Sequence, residues 1–386
     1  MSVCAGCRGS VPNDARFCPF CGIPSLPIPK RLGVGAQLAV ADWGKVILGH
    51  ELGEGGMGIV YRGYLYYDPK QRYAGTPPHP VAVKLLHPLL RGRERPRRLF
   101  LREAEALRRL SHPNVVHLFA LSDDAGQLAI VMELVHGSPL SRVIADALPR
   151  RTSSALPVLP FVRAWHYFAQ LLGALAAVHN LGILHRDVKP ANVLVRTDGV
   201  VKLSDFGIAR IPQENAQNTG GVAPGTGAYM SPEAVTGAEL DPRSDLYAAA
   251  VVLYEMLSGR TPFDPGDRTE MDVRRAQIVE PAPPLSRFVT STPPIVDALL
   301  ARALEKDPQR RFGSALEFGE ALRSALGLPA EPGWSAQQEL ARIAKTVSEA
   351  ALPAVPPTVP DPAERAEALR ADLLSAYSWK NPADRR

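Results

Sequence analysis

Two short polar segments in the middle of the chain contain residue types that can do chemistry together. The segment ILHRDVKPANVLV holds Asp187, Lys189 and Asn192, and the segment VKLSDFGIAR holds Asp205. A carboxylate can take a proton from a hydroxyl group, an ammonium group can neutralise a phosphate, and amide and carboxylate oxygens are ligands that Mg²⁺ prefers. The two segments therefore supply the base, the cation and the metal ligands that phosphoryl transfer to a hydroxyl requires.

A glycine-rich segment further upstream has the spacing of a phosphate-binding loop. ELGEGGMGIVYRG contains G-x-G-x-x-G, but Gly58 is followed by the strand-forming residues Ile59, Val60 and Tyr61. A dinucleotide-binding fold would have a helix at this point, and no Gly-Lys-Ser/Thr follows that would make a P-loop. The pattern predicts a hairpin whose backbone N–H groups can approach phosphate oxygens, although taken alone it also fits an ordinary tight turn.

A lysine and a glutamate downstream of this hairpin are candidates for a phosphate-holding pair. Lys84 lies in the strand-like run VAVKLL, and Glu103 lies in RRLFLREAEALRRL, which is predicted to be a helix facing that strand. A paired lysine could hold the α and β phosphates of a nucleotide while the glutamate fixes its position. Taken by itself, Lys84 is equally compatible with a surface position on an edge strand.

The combination of H-R-D-x-K-x-x-N with D-F-G resembles the eukaryotic-type protein kinases, and more specifically the bacterial Hanks-type serine/threonine kinases. The resemblance covers roughly residues 44–328. It implies an α+β, two-lobed kinase fold with a β-rich N-lobe at 44–135 and a helical C-lobe at 136–328. It also implies transfer of the γ-phosphate of ATP to Ser/Thr hydroxyls of protein substrates, with Mg²⁺ or Mn²⁺, and autophosphorylation.

The same resemblance assigns a role to each matching residue. Lys84 would hold the α and β phosphates and pair with Glu103, Asp187 would accept the substrate proton, and Lys189 would steady the γ-phosphate. Asn192 and Asp205 would bind Mg²⁺. Met132 would be the gatekeeper, and Glu133 to Val135 would form the hinge at the adenine edge. The full set of implied ATP contacts is Leu52, Gly53, Gly55, Gly58, Val60, Ala82, Lys84, Met132, Glu133, Val135 and Leu194.

Further matches concern the support of the site and the class of acceptor. By resemblance, Glu233 in YMSPE and Arg311 in KDPQRRF form a buried ion pair, and Asp245 anchors the catalytic loop from a helix. Buried charges are costly unless paired, which explains why these residues occur together. The family's usual APE is SPE here. Lys189, two residues after the catalytic aspartate, fits the serine/threonine pattern.

The segment between Asp205 and Glu233 is the predicted activation loop. Arg186 precedes the catalytic aspartate, and in this family such an arginine commonly binds a phosphate on that loop. Thr219 and Thr226 are the candidate phosphosites. Thr226, in GTGAY, is expected to contact Asp187 and Lys189 as part of the substrate platform, so Thr219 is the preferred regulatory site. The alternative is that Thr219 is an unmodified loop residue.

All four cysteines lie near the N-terminus in two C-x-x-C pairs. Cys4, Cys7, Cys18 and Cys21 can close a tetrahedral thiolate site around Zn²⁺ without an open position, which predicts a structural zinc ribbon over residues 1–24. The spacing resembles the small zinc ribbons found at the ends of bacterial regulatory proteins. The alternative is a pair of redox dithiols or disulfides.

The remaining segments suggest how the chain is organised and located. Residues 25–43 are predicted to be a Pro/Gly-rich linker. Residues 329–386 are predicted to be a partly disordered, Pro-rich and helical tail that docks on the kinase domain or on a partner, or stays loosely ordered. The net charge of +5 arises mainly from residues 91–109, where interspersed glutamates favour a solvated helix over nucleic-acid binding. Because no apolar run is long enough to span a membrane, a cytoplasmic signalling protein is expected.

Two other functions fit parts of the sequence. One is a pseudokinase scaffold, whose fold would bind partners without transferring phosphate. The other is a DNA-binding zinc-ribbon protein with an accessory kinase fold. The presence of Lys84, Asp187, Asn192 and Asp205 together weighs against the first. The small number of basic residues in the ribbon weighs against the DNA-binding protein.

Overall fold

The structure is a computed structural model that describes residues 2–3, 10–11, 31–40, 43–67, 77–124, 126–148, 156–206, 226–263, 266 and 268–327. The chain divides into two compact units. The first comprises Met1–Arg98, Ala120–Val131 and Val359–Arg386, and the second comprises Leu99–Phe119 and Met132–Thr358.

The first unit is built around a twisted β-sheet. Its strand order is β3-β4-β5-β6-β8-β7, and neighbours from β3 to β6 run antiparallel. The strands are β3 (Gln37–Val40), β4 (Gly44–Glu54), β5 (Gly58–Tyr67), β6 (His79–Leu86), β7 (Leu118–Asp124) and β8 (Gln127–Glu133). Apolar and β-branched side chains such as Val46, Leu65 and Val83 are fully buried in this sheet. Such residues pack well on a pleated surface, which is why these runs form strands.

The predicted linker at 25–43 is not entirely a linker. Residues 37–40 form β3, which pairs in register with β4 from Gln37 opposite Ile47 to Val40 opposite Gly44. Leu38 and Val40 are buried while Gln37 and Ala39 are exposed, so the strand has the alternation of a half-buried edge. The sheet therefore begins before residue 44, the predicted start of the N-lobe.

The second unit is mainly helical. Its long central helices are α3 (Phe161–Asn180) and α5 (Pro242–Ser258), and most of the residues of both are buried. The other helices are α1 (Glu94–Arg108, which begins in the first unit), α2 (Leu140–Ala147), α4 (Pro232–Thr236), α6 (Glu270–Val279), α7 (Pro294–Ala303) and α8 (Ala315–Ala325). Helix α3 packs against α5 and α8, and the Phe168 and Phe318 ring centroids lie 5.2 Å apart.

A small sheet in the second unit carries the polar segments singled out in the sequence. It consists of β9 (Gly137–Pro139), β10 (Val193–Arg196) and β11 (Val201–Leu203), in the order β11-β10-β9. Strand β10 begins at Val193, directly after Asn192, and β11 ends at Leu203, two residues before Asp205. In the part of the chain that the structure describes, no helix is both long and apolar enough to cross a membrane.

The N-terminal region is described only at four residues. Strands β1 (Ser2–Val3) and β2 (Ser10–Val11) pair antiparallel, with Ser2 opposite Val11 and Val3 opposite Ser10. The four cysteines and the predicted tail at 329–386 lie outside the described residues.

Candidate active site

A buried carboxylate fixes the backbone of the segment that holds Asp187. Asp245, in the first turn of α5, accepts hydrogen bonds at 2.8 Å from the backbone nitrogens of His185 and Arg186, and its Oδ2 also lies 2.8 Å from His179 Nε2. Burial by itself would raise the pKa of Asp245, but the hydrogen bond from His179 and the neighbouring charges outweigh it and hold the pKa below its usual value. Asp245 therefore anchors this segment as a charged acceptor.

The backbone on both sides of the site adopts an unusual conformation. Arg186 has φ 66° and Asp205 has φ 53°, and within the described ranges these are the two non-glycine residues with positive φ. Such a conformation costs free energy at an L-residue and persists only where the surroundings enforce it, as at active sites. At Arg186 the enforcing contact is the bond to Asp245.

His185 links the two polar segments from inside the fold. Its Nε2 lies 3.0 Å from the Ser204 carbonyl oxygen and its Nδ1 lies 3.3 Å from the Asp187 nitrogen. Burial lowers the pKa of this imidazole, despite the opposing carboxylates nearby. A neutral ring with its proton on Nε2 satisfies both contacts, because it donates to the carbonyl and accepts from the amide.

Asp187, Lys189 and Asn192 form one cluster. Lys189 Nζ lies 3.0 Å from Asp187 Oδ2. The Asn192 amide nitrogen donates to the same oxygen at 3.0 Å and to the Asp187 carbonyl at 2.8 Å. Both amide hydrogens are thus used to orient Asp187, which leaves the amide oxygen of Asn192 as the group available to a metal ion.

Asp205 is positioned by its immediate neighbour. The backbone nitrogen and the hydroxyl of Ser204 both donate to the Asn192 carbonyl, at 2.9 and 3.2 Å. These bonds hold Ser204, the residue before Asp205, against Asn192, the other candidate metal ligand. Phe206 is buried on the other side, with its ring 4.7 Å from that of His185.

Two polar residues that the sequence analysis did not single out support β11. The Asn114 amide nitrogen donates to the Val201 carbonyl at 2.9 Å and to Gln170 Oε1 at 2.8 Å. Gln170 Oε1 also accepts from the Val201 nitrogen at 2.9 Å. Buried amides are stable only when their hydrogen bonds are made, so this network fixes β11, the strand that ends two residues before Asp205.

A largely buried ion pair joins the predicted hinge to β11. Lys202 Nζ lies 2.7 Å from Glu133 Oε2, which also accepts from the His117 nitrogen at 3.2 Å. The Glu133 nitrogen donates to the His117 carbonyl at 2.8 Å, so of its backbone groups the carbonyl is the one left to meet an adenine. Met132, the residue before Glu133, is buried. Leu194 on β10 lies opposite Lys202 on β11.

The first unit holds the glycine-rich hairpin. At Gly58 an added Cβ would lie 2.2 Å from the Leu85 carbonyl oxygen, so only glycine fits the close approach of the two strands. An added Cβ at Gly53 would meet no described atom within 4 Å. Glycine is therefore needed for packing at position 58, whereas at Gly53 it leaves open space.

The strand beside the hairpin carries Lys84. This residue is buried on β6, opposite Val60 on β5, and Ala82 lies opposite Arg62. Glu103 is 2% exposed on α1. Lys84 and Glu103 belong to different units, and their pairing stays a prediction.

Glu233 and Arg311, the other pair of oppositely charged residues named in the sequence analysis, lie in contact. Arg311 Nη1 and Nη2 lie 2.7 and 2.9 Å from the two carboxylate oxygens of Glu233, and both side chains are buried. Ser244 also donates to Glu233, at 2.7 Å. A bidentate pair with additional hydrogen bonds is the arrangement in which buried charges are tolerated.

The predicted regulatory residues are only partly described. Thr219 lies outside the described residues. Thr226 begins a short 3₁₀ helix, Thr226–Tyr229, which is described by its backbone at that residue. Arg186 is exposed, and among the described residues no carboxylate pairs with its side chain.

Comparison with known proteins identifies the family. The protein kinase domain model matches residues 47–323, so the chain belongs to the protein kinase family. The fold is therefore that of a protein kinase, with a β-rich unit and a helical unit.

Individual relatives agree with this assignment. The chain is 34% identical over 282 residues to the serine/threonine-protein kinase PknL of Mycobacterium tuberculosis, covering 72% of this chain and 66% of PknL. It is 38% identical over 289 residues to PksC of Streptomyces coelicolor, covering 73% of this chain and 49% of PksC. The crystal structure of the Mycobacterium tuberculosis PknI kinase domain superposes with a TM-score of 0.57 at 31% identity, covering 76% of this chain and 99% of that domain. The chain thus spans about half to two thirds of the length of these two curated relatives.

Proposed function

We propose that this chain is a serine/threonine protein kinase that transfers the γ-phosphate of ATP to hydroxyl groups of protein substrates and of itself. The observation that carries the proposal is the cluster of Asp187, Lys189 and Asn192. It is held to Asp245 and followed by the strained Asp205. The serine/threonine kinases among its relatives support the same acceptor class.

Asp187 is the proposed general base. Its Oδ2 contacts Lys189 Nζ and the Asn192 amide nitrogen, and both contacts fix the direction of the carboxylate. The acceptor hydroxyl would pass its proton to Asp187 as its oxygen attacks the γ-phosphorus, and the bond from that phosphorus to the β,γ-bridging oxygen would break to release ADP. Lys189 would neutralise charge on the transferred phosphate. A positioned base of this kind contributes on the order of 10²–10⁴-fold in rate.

Asn192 and Asp205 are the proposed metal ligands. Their side chains offer an amide oxygen and a carboxylate, which are hard oxygen donors of the kind that suit Mg²⁺ or Mn²⁺. The hydrogen bonds from the Asn192 nitrogen to Asp187 leave its amide oxygen for this role. When bound, the metal would neutralise developing charge on the ATP phosphates.

Nucleotide contacts are assigned within each unit separately. In the first unit we assign Gly53, Gly55 and Gly58 to the phosphates, Lys84 to the α and β phosphates, and Leu52, Val60 and Ala82 to the adenine. In the second unit we assign Met132, Val135 and Leu194 to the adenine pocket and the carbonyl of Glu133 to the adenine edge. The open space at Gly53 and the burial of Lys84 support these roles.

The test is phosphoryl transfer from radiolabelled ATP to a generic basic protein in the presence of Mg²⁺. Lys84→Met and Asp205→Asn should each abolish transfer, because each removes several kcal/mol of transition-state stabilisation. The circular dichroism spectrum and the unfolding curve of both variants should stay unchanged. Asp146→Asn, which changes an exposed carboxylate on α2, is the matched control and should retain activity. Unchanged transfer in either site variant would refute the assignment, and no transfer by the wild type would favour a pseudokinase.

Phosphorylation of Thr219 is the proposed means of activation. The exposed Arg186 side chain beside the catalytic aspartate provides a cation that a phosphate on this loop could bind. Mass spectrometry should find the phosphate on Thr219 in wild-type protein and not in an Asp205→Asn variant. A wild-type protein without it would leave Thr219 as an ordinary loop residue.

A structural zinc ribbon at residues 1–24 is the proposed N-terminal module. Strands β1 and β2 pair antiparallel, and Cys4 and Cys7 lie between them in the sequence, which supports a thiolate pair close to these strands. Four thiolates suit Zn²⁺ in a closed tetrahedral site. The ribbon would serve as a docking module for a protein partner. The cytoplasmic location also stays a prediction.

A further inference from the structure

The chain just before β3 lies along the glycine-rich hairpin. The Gly35 nitrogen donates to the Leu48 carbonyl at 2.7 Å, and the Leu48 nitrogen donates to the Ala36 carbonyl at 2.9 Å. The Tyr61 hydroxyl donates to the Leu32 carbonyl at 2.9 Å. Residues 31–36, called the clasp below, are thus bonded to both strands of the hairpin.

Arg31 is the charged end of this clasp. Its Nε donates to the Tyr61 hydroxyl at 3.3 Å, and Tyr61 is only 3% exposed. Its Nη2 contacts the Glu51 carboxylate and lies 3.2 Å from Glu54 Oε2. One guanidinium group therefore joins a buried tyrosine to two carboxylates on β4.

The two carboxylates occupy the irregular part of the hairpin. The pairing of β4 with β5 shifts register between Leu48 and Glu51 and again between Glu51 and Gly53. An irregular strand has fewer ladder hydrogen bonds to hold its course. Arg31 contacts β4 at these register shifts, next to Gly53, one of the glycines assigned to the phosphates.

The charges on Glu51 and Glu54 oppose nucleotide binding unless they are compensated. ATP is a polyanion, and carboxylates beside the phosphate-binding glycines would repel it. Arg31 contacts both carboxylates, and His87 Nε2 lies 3.1 Å from Glu54 Oε1 on the other side. The His87 nitrogen also donates to the Met57 carbonyl at 3.0 Å, so the hairpin is supported from both sides.

We propose that the clasp is a positioning element for nucleotide binding, in which Arg31 steadies the glycine-rich hairpin and neutralises Glu51 and Glu54. This inference rests on the proposed function, because it needs the glycines to bind phosphate. An exposed ion pair by itself stabilises a protein little. The effect on nucleotide affinity instead comes from removing two negative charges beside a bound polyanion.

The test compares full-length variants by equilibrium displacement of a fluorescent ADP and by steady-state kinetics. Arg31→Ala should raise the Kd for ADP and the KM for ATP by about 3- to 10-fold, with kcat within about twofold. The increase should be larger at low ionic strength, where charge repulsion is less screened. Arg31→Lys should keep most of the affinity. Arg142→Ala, which breaks an exposed ion pair on α2, is the matched control and should change neither constant.

A triple variant separates charge compensation from a general loss of structure. Adding Glu51→Gln and Glu54→Gln to Arg31→Ala should restore the affinity to within about twofold of the wild type, because no carboxylate then opposes the phosphates. An unchanged Kd in Arg31→Ala, or a triple variant as weak as Arg31→Ala, would overturn the proposal. A wild type that binds ADP but transfers no phosphate would contradict the proposed function alone.

Discussion

Asp245 and Glu233 are buried carboxylates that contact His179 and Ser244, respectively. The resemblance to kinases points to Asp245, Glu233 and Arg311, because their motifs are local in sequence. The partners His179 and Ser244 carry no such motif, and their contacts with Asp245 and Glu233 arise only when distant segments meet in the fold. Polar residues inside apolar helices, such as Gln170, were missed for the same reason.

The Glu233–Arg311 pair should make stability depend on pH. Burial by itself would raise the pKa of Glu233, but the hydrogen bonds from Arg311 and Ser244 outweigh it, so the pKa lies below its usual value. A carboxyl with a depressed folded-state pKa contributes its full stabilisation above the unfolded value of about 4.3 and loses it as the pH falls through the folded value. The contribution of Glu233 is therefore expected to be constant at neutral pH and to fade in acid.

The corresponding experiment is urea unfolding of Glu233→Gln and wild type at several pH values. At pH 7 the variant should lose about 3–5 kcal/mol, because Arg311 is left as an unpaired buried charge. The difference should shrink below about pH 4 as the wild-type carboxylate is protonated. Glu320→Gln, in an exposed pair with Arg323, should cost less than about 1 kcal/mol. A difference that does not change with pH would contradict this account of the pair.

At the scale of secondary-structure elements, the sequence predicted strong patterns well and weak ones poorly. The amphipathic run RRLFLREAEALRRL predicts α1, and the β-branched runs predict β5 and β6. For strand β3 the sequence predicts a linker, because QLAV is short and follows a Pro/Gly-rich stretch. Its pairing with β4 decides its structure, and pairing between segments is not visible in local composition.

Helix α6 supports the segment that the sequence analysis assigned to substrate binding. Gln277 on α6 is fully buried, donates to the Ala228 carbonyl at 2.5 Å and accepts from the Tyr247 hydroxyl. Ala228 lies in the 3₁₀ helix Thr226–Tyr229, and it packs against Phe263, Val273 and Ala276. The helix thus fixes this segment both by a hydrogen bond and by apolar contacts.

Replacing Gln277 by leucine should therefore impair binding of the protein substrate more than binding of ATP. The change leaves a buried carbonyl and a buried hydroxyl without partners, each at a cost of about 1–3 kcal/mol, which loosens residues 226–229. We expect the KM for a peptide acceptor to rise at least fivefold and the KM for ATP to change less than twofold. Gln309→Leu, at an exposed position, is the control. Equal changes in both KM values would mean that α6 does not act through this segment.

At the scale of the whole molecule, the central question is how the N-terminal module relates to the kinase fold. The sequence predicts a Pro/Gly-rich linker at residues 25–43. In the structure, residues 31–36 of this segment are hydrogen-bonded to the glycine-rich hairpin. Sequence could not predict this contact, because it depends on the buried Tyr61 and on the course of β4.

Removal of the module before the clasp should therefore leave catalysis intact. Deletion of residues 1–24 should remove one Zn²⁺ per chain and leave basal transfer to a generic substrate nearly unchanged, with any loss confined to partner choice. Elemental analysis of the intact and shortened proteins measures the first part. Intact protein without zinc would contradict the site. A shortened protein that binds ATP but cannot transfer phosphate would show that the ribbon helps to assemble the active site.

Asp187 and the residues clustered around it are proposed to transfer the γ-phosphate of ATP to serine or threonine hydroxyls. This transfer can be followed by mass spectrometry of the protein and a basic acceptor after incubation with Mg²⁺ and ATP whose γ-phosphate carries a heavy oxygen label. We expect labelled phosphoserine or phosphothreonine with the wild type, and a rate lower by on the order of 10²–10⁴-fold with Asp187→Asn. Label on neither protein, or equal labelling by the wild type and Asp187→Asn, would contradict it.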